Sequence, residues 1–324
     1  MNIVCCQNFG PPETLERISV EAPLIKPDQA VVDIHAAGVG FVDGLMIQGK
    51  YQVKPPLPYY PGSEFAGIVS AVGSEVSQVQ VGDRVLGMAS SGAFADQCAM
   101  AEQSLVKIPN NLSLNIAAGF FVNYATALYG LRDCGKLAAG ETVLILGAAG
   151  GVGSSAISVA KALGATVIAA ASSAVKRRAA QSFGADYCID YSAAGWRDEL
   201  KALTVEPGLN MVYDPVGGDK SEAAFRSLAP GGRFLVVGFA AGEIPKIPLN
   251  LALLKRSSIV GVDWGGEMRA NPGINREFMT TLMTWIANGR LTPAEVESRP
   301  MADYQQALAN QLAGAIVGKL VLTN

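Results

Sequence analysis

The chain has 324 residues, enough for two domains of ordinary size and too few for three. Half of those residues are hydrophobic and only 16% are charged, which excludes a disordered chain, because that much apolar surface is not left in water. Twenty-five Lys and Arg stand against 28 Asp and Glu, a formal charge of −3 that offers no basic excess for general nucleic-acid binding.

Five cysteines, Cys5, Cys6, Cys98, Cys134 and Cys188, form no C-x-x-C and are odd in number, so a disulfide scaffold is not expected and a reducing compartment fits. The opening MNIVCCQNFG has no basic segment followed by an apolar stretch and does not read as a signal peptide. The apolar stretch from Gly153 to Ala171 is broken by Ser154, Ser155, Ser158 and Lys161, and it reads as a helix followed by a strand rather than as a membrane span. A soluble cytoplasmic protein without stable membrane association is the expectation, and no nucleic-acid partner is indicated.

In chain order, short extended segments come first: Ala30–Gly38, Gly67–Gly73, Arg84–Met88 and Ala93–Ala99, separated by Gly, Pro and Asp. Branched residues at this short spacing predict a mostly antiparallel, barrel-like domain. Pro55, Pro56, Pro58 and Pro61 exclude a central strand, so Val53–Gly62 is expected as an ordered loop. From Glu141 the pattern alternates: strand Thr142–Leu146, helix Gly151–Leu163, strand Thr166–Ala171 and helix Val175–Phe183. It continues through Tyr187–Ile189, Trp196–Leu203, Met211–Tyr213, Lys220–Leu228 and Phe234–Gly238, the rhythm of an open α/β sheet. The expected division is residues 1–120, completed by about 291–324, and a parallel-sheet domain over 121–290.

The sharpest local signal is Gly147-Ala148-Ala149-Gly150-Gly151-Val152-Gly153, placed after a predicted strand and opening a predicted helix. It reads as a dinucleotide fingerprint with Ala148 at the first glycine position. Gly150 lets backbone approach a pyrophosphate, Gly153 lets helix and strand pack closely, and the helix amino end receives negative charge. Tight packing of strand on helix without a ligand is the alternative for such a turn. No Lys-Ser or Lys-Thr completes a mononucleotide loop, which disfavours ATP or GTP hydrolysis.

The next strand runs into Ala171-Ser172-Ser173, with Lys176 and Arg177 close behind. An acid in this region would bind the ribose hydroxyls of NAD; hydroxyls and cations suit a 2′-phosphate and favour NADP(H). Lys176, Arg177 and Arg178 also read as an ordinary solvated helix face. A catalytic zinc would need three Cys, His, Asp or Glu ligands, and the sole histidine, His35, falls inside a predicted strand as a packing or hydrogen-bonding residue. No metal site is expected.

Assembled, the chain resembles the zinc-independent NADPH:quinone oxidoreductase branch of the medium-chain dehydrogenase/reductase superfamily. The resemblance rests on Gly38-Val39-Gly40-Phe41-Val42-Asp43, Pro61-Gly62-Ser63-Glu64-Phe65-Ala66-Gly67, Val81-Gly82-Asp83-Arg84-Val85 and Gly147 through Gly153. Tyr213-Asp214-Pro215-Val216-Gly217-Gly218 and Gly318-Lys319-Leu320-Val321-Leu322 complete it. It implies a GroES-like, mostly β catalytic domain plus a Rossmann-type parallel-sheet cofactor domain, an α/β protein overall. Where zinc-dependent relatives have a His-Glu pair this chain has Ser63-Glu64, and Glu64 is left as a cleft or structural carboxylate.

By the same resemblance, Asn123 and Thr126 flank the nicotinamide, and Gly150, Gly151 and Val152 receive the pyrophosphate. Ser172, Lys176 and Tyr191 match the region that recognises the NADPH phosphate. Gly238, Phe239 and Lys319 fall in later cofactor-contact segments, and Tyr51 matches a tyrosine lining the quinone pocket. Gly40 stands where some quinone reductases have asparagine. The implied activity is NADPH-dependent hydride transfer to a quinone or related conjugated carbonyl, with Tyr51 as the named donor or stacking residue. Packing of Tyr51 against the proline loop remains an alternative. So do two other functions, an enoyl or acryloyl thioester reductase and a low-turnover NADPH-sensing protein. A homodimer is implied through the edges of the cofactor domains, with Ser258–Asp263 as the pairing segment.

Overall fold

A computed structural model describes residues 1–204, 208–271 and 273–324. The chain separates into two compact units, one made of Met1–Val122, Asn275–Ala287 and Glu295–Asn324, the other of Asn123–Ile274 and Asn288–Ala294. Strands in chain order are β1 (Asn2–Cys5), β2 (Glu16–Ser19), β3 (Gln29–Val39), β4 (Glu64–Val72), β5 (Arg84–Met88), β6 (Gln97–Ala101) and β7 (Leu105–Lys107). There follow β8 (Thr142–Leu146), β9 (Thr166–Ala170), β10 (Tyr187–Ile189), β11 (Leu209–Asp214), β12 (Leu228–Val236) and β13 (Ser258–Gly261), then β14 (Val296–Pro300) and β15 (Lys319–Thr323).

The first unit is organised by β3, whose Val32, Ile34 and Val39 are buried. One edge of β3 pairs antiparallel with β4. The other edge is shared: Gln29–Asp33 pairs with β6, and Ala36–Val39 pairs with β15. The sheet runs β14-β15-β3-β4-β5-β7, antiparallel except where β14 meets β15. Its core gathers Ile34, Phe65, Val69, Phe94 and Leu320. His35 is the residue skipped in the register between Ile34↔Gly67 and Ala36↔Ala66, and its side chain is exposed rather than packed.

Two sequence expectations for this unit shift. The strand expected at Ala93–Ala99 forms at Gln97–Ala101, because Phe94 is held by Pro61 and Val4 and Ala95 makes only an isolated bridge to Ile3. The proline-rich stretch is a loop as expected, tied at Tyr59 by two backbone hydrogen bonds with Cys6, of 2.7 and 2.9 Å. The helix Ile274–Ala287 lies apart from the 121–290 stretch in which its position in the chain would place it. Its residues from Asn275 on count with the first unit, where Arg276 bonds Gln78 and Asn111 bonds the Ile286 carbonyl.

The second unit is a six-stranded, fully parallel sheet in the order β10-β9-β8-β11-β12-β13. Numbered within the unit this is 3-2-1-4-5-6, the Rossmann order, with β8 between the two directions of winding. Four consecutive residues of β8 and of β9 are buried, as strands covered on both faces require. Leu144, Ile168, Val212, Phe225 and Phe234 share the core, the two phenylalanine rings tilted at 5.8 Å. The helix expected at Lys220–Leu228 ends at Phe225, and Leu228 already opens β12.

Helix Gly151–Ala162 packs on β8 through the glycine turn. Gly147 has φ +58°, and a Cβ added at Gly153 would sit 2.3 Å from the Gly147 carbonyl oxygen and 2.7 Å from the Ala148 Cα. Both obstacles are backbone, so only glycine fits at 153 without moving the helix. Gly153→Ala is therefore expected to lower stability by about 1–3 kcal/mol, the usual range for overpacking. Denaturant unfolding measures this, and an unchanged midpoint would contradict so close an approach.

Candidate functional site

In the second unit the turn after β8 lies at the switch point of the sheet, where strand order reverses and ligands bind beyond the carboxyl ends of the strands. Gly150 caps the helix Gly151–Ala162 with extended backbone, and its carbonyl accepts the Ser154 N–H at 2.8 Å. A Cβ added at Gly150 would meet nothing closer than the Gly147 carbonyl oxygen at 3.5 Å. One face of the turn is thus packed solid at Gly153 and the other is open at Gly150. The first helical N–H groups, those of Gly151 and Val152, have no carbonyl one turn earlier to bond, and this suits them to a phosphate.

The turn after β11 abuts the glycine turn, since a Cβ at Gly147 would lie 2.6 Å from Val216 Cγ2. It is shaped by Asp214, a buried carboxylate that accepts the N–H groups of Val216 and Gly217 at 2.8 and 2.9 Å and the Ser221 hydroxyl at 2.6 Å. Gly238 donates its N–H to the Asp214 carbonyl at 3.3 Å, and Phe239 beside it is 40% exposed. The sequence reading used Asp214 only as part of a motif. The signal that marks it is an acid ending an apolar strand directly before Pro-Val-Gly-Gly.

The ends of β9 and β10 meet in a polar cluster. Ser173 caps the helix Ala174–Ser182 by accepting the Lys176 N–H at 3.3 Å, and Ser172 hydrogen bonds with the Tyr191 phenol. Burial pushes the Tyr191 phenol up despite that bond. Asp190 is engaged on both oxygens, by the Ser192 N–H at 2.9 Å and hydroxyl at 2.5 Å, and by Arg177 at 2.6 Å. The Ser192 bonds, with Arg177 adding to them, hold its carboxyl below the usual range. Ser172 and Tyr191 are thus neighbours, Lys176 lies in the first turn of the helix that Ser173 caps, and Arg177 belongs to an ion pair with Asp190. Asn123, buried, and Thr126 lie on the helix Phe121–Leu128.

The first unit carries a separate group of three buried ionisable side chains. The Lys319 ammonium donates to Glu64 Oε1 at 2.6 Å, with the two side chains 9% and 2% exposed. Glu64 Oε2 accepts the Val122 N–H at 3.0 Å. Asp43, 2% exposed, accepts the Gly40 N–H at 2.7 Å in a capping box at the start of the helix Phe41–Ile47. Burial pushes its carboxyl up to about 6, with the nearby Glu64 adding and Gly40, Lys319 and Gly62 opposing. Burial likewise raises the Tyr59 phenol, and Asp43 adds to the effect. Lys319, expected as a cofactor contact, is thus the buried partner of Glu64. Tyr51 is half-buried in the irregular chain after this helix. Among the described residues no group of three or more His, Cys, Asp or Glu side chains is placed to hold a metal ion, and all five cysteines are free thiols.

Two family models match, an alcohol dehydrogenase GroES-like domain over residues 26–129 and a zinc-binding dehydrogenase over 151–287. Quinone oxidoreductase-like protein 2 of Mus musculus is 37% identical over 98% of this chain and 91% of its own length. The chain belongs to the quinone oxidoreductase-like family of medium-chain dehydrogenases/reductases. Among solved structures of that superfamily, Escherichia coli quinone oxidoreductase complexed with NADPH matches with a TM-score of 0.89 and 28% identity over the whole of both chains. The CurK enoyl reductase matches with a TM-score of 0.88 and 26% identity, over 99% of this chain and 98% of the other. The architecture is accordingly a GroES-like amino-terminal domain plus a Rossmann-type cofactor domain.

The charged group yields two expectations. Lys319→Met leaves the Glu64 charge buried without its partner, and is expected to cost about 3–5 kcal/mol, much of it recovered when Glu64→Gln is added. Chemical denaturation of the two single variants and the double variant measures the coupling. For Asp43 the sign follows from its raised pKa: the folded state holds this proton up to about pH 6, whereas the unfolded carboxyl loses it near its ordinary 3.8. Its contribution to stability is full below about pH 4 and is lost as pH rises through 6. The difference in Tm between wild type and Asp43→Asn should fall steadily from pH 4 to 7, and a constant difference would show that Asp43 does not titrate in this window.

Proposed function

We propose that this chain is an NADPH-dependent, zinc-independent oxidoreductase that reduces a quinone or related conjugated carbonyl. The observation that carries the cofactor choice is the end of β9. It runs into Ala171-Ser172-Ser173 with Lys176 on the next helix, and Asp190, after the adjoining strand β10, is committed to Arg177 and Ser192. A 2′-phosphate finds hydroxyls and a cation there, and the Asp190 carboxylate that could have served a ribose diol is already engaged. The glycine turn fits a pyrophosphate, being open at Gly150 where the ligand would approach and closed at Gly153 where the helix packs.

In this reading Gly150, Gly151 and Val152 hold the pyrophosphate, and Ser172, Lys176 and Tyr191 hold the 2′-phosphate. Asn123 and Thr126 border the nicotinamide, and Gly238 and Phe239 complete the cofactor wall. NADPH, when bound, supplies the hydride. The protein's share of the chemistry is to orient the acceptor and to offer a donor to the oxygen on which charge develops, a role assigned to the Tyr51 hydroxyl. Lys319 acts indirectly, by holding buried Glu64 in place through their 2.6 Å contact.

The likeness to an enoyl reductase favours one second reading, reduction of an enoyl thioester at the same site. NADPH oxidation assayed side by side with quinones, enals and enoyl thioesters decides between them, and tight NADPH binding with turnover of none would point instead to a sensor. A homodimer belongs to the same proposal. The strand β13 closes one end of the parallel sheet, and Ile259 on it is 41% exposed, so pairing two such edges would satisfy backbone groups now facing outward.

Lys176→Ala is expected to weaken NADPH binding roughly ten- to a hundredfold, about 1.5–3 kcal/mol for a charge-assisted contact, and to leave NADH nearly unchanged. Parallel titrations of both cofactors test this, and equal losses would remove Lys176 as the selector. Tyr51→Phe should slow single-turnover hydride transfer about tenfold, or 1.4 kcal/mol, with NADPH affinity intact. Transfer at the wild-type rate would leave Tyr51 as a packing residue against the proline loop.

A further inference from the structure

Asp43 does more than close a helix cap. Besides the Gly40 N–H, its carboxylate accepts the N–H of Gly62, and the Ser63 hydroxyl lies 3.5 Å from Oδ1. Gly40 follows the end of β3, and Gly62 and Ser63 lead into β4, so one carboxylate grips both ends of the intervening chain. That chain contains the helix Phe41–Ile47, Tyr51 and the four prolines. Backbone hydrogen bonds anchor Gly49 and Lys50 on one side and resume at Tyr59 on the other. Among the described residues the backbone of Tyr51–Pro58 makes none, and its position is inherited from its ends.

We propose that Asp43 is a positioning residue for the acceptor side of the reaction, holding the Tyr51-bearing segment in place by joining Gly40 to Gly62 and Ser63. The proposal rests on the role given to Tyr51 above. A carboxylate has lone pairs for all three donors, whereas a carboxylic acid turns one oxygen into a donor that opposes a neighbouring N–H. The ionisable groups facing Asp43 are Glu64 from β4, Lys319 from β15 and Tyr59 from the segment itself; its own helix contributes no other. With Glu64 and Lys319 paired to each other, the charge on Asp43 is directed to the two turns. Because burial lifts this carboxyl to about 6, the grip weakens just below neutral pH.

Asp43→Asn keeps the volume but sets an amide N–H₂ against a backbone N–H. Expected for the variant at pH 7.5 is a tenfold or greater fall in kcat/KM for a quinone, carried by KM, with the NADPH Kd within twofold of wild type. Wild type should also show an acid limb near pH 6 in quinone kcat/KM that the variant lacks, a change that a merely structural role would not produce. Amide exchange over residues 48–61 should quicken in the variant relative to β3. An unchanged KM, an acid limb retained in the variant, or unchanged exchange overturns the proposal. If Asp43→Asn does not fold, wild type decides through its kinetics: the acid limb near pH 6 in quinone kcat/KM should be present, and a flat profile between pH 5 and 7.5 overturns the proposal. The exchange readout needs no turnover, so a wild-type protein that reduces no quinone would strike the proposed function and leave this assignment standing or falling on exchange.

Discussion

A carboxylate with almost no solvent must find a partner for each oxygen, and Glu64 finds them 58 and 255 positions further along the chain. Lys319 and the Val122 N–H satisfy it at 2.6 and 3.0 Å. Because an unpaired buried charge is costly, this one carboxylate joins β4, β15 and the start of the helix Phe121–Leu128. The shared edge of β3 follows from it, because β15 can only lie against Ala36–Val39 if β6 leaves that half of the strand open. Asp43 then occupies the remaining polar space and ties the turns on either side.

The second unit obeys a different constraint, close approach of backbone. Helix Gly151–Ala162 comes near enough to the turn after β8 that no side chain fits at Gly153, and Asp214 shapes the adjoining turn by gathering two N–H groups and a hydroxyl. The two turns meet at the switch point, each shaped by contacts within the chain itself. Preformed donors cost little reorganisation on binding, which is the advantage of building a phosphate site from backbone.

Much of this was legible from residue patterns. Arg84–Met88, Thr142–Leu146, Tyr187–Ile189 and Trp196–Leu203 form where branching, burial and helix periodicity placed them. Boundaries moved where a neighbour overrode local preference: Ala93–Ala95 is apolar enough for a strand but is claimed by Pro61, Val4 and Ile3. Ser172, Lys176 and Tyr191, to which the proposed function gives the 2′-phosphate, follow two adjacent strands, β9 and β10, whose ends were legible in the sequence. The partnership of Lys319 with Glu64 was not, since 255 positions separate them and nothing local in Gly318-Lys319-Leu320 points to a carboxylate. Arg177 and Asp190 were hidden in the same way, by a pairing that only the adjacency of β9 and β10 creates.

The first unit is assembled from three stretches of chain, and its sheet includes the last strand of the sequence, β15. On a ribosome, β3 is the first strand of its sheet to be made and waits with half of one edge bare until β15 has emerged. The Rossmann sheet, by contrast, has all six strands between residues 142 and 261 and pairs only within that span. Synthesis therefore completes the two units in the reverse of the order in which they begin. Until β15 arrives the amino-terminal sheet is an unfinished surface, and the Lys319 ammonium reaches Glu64 with the strand that completes it.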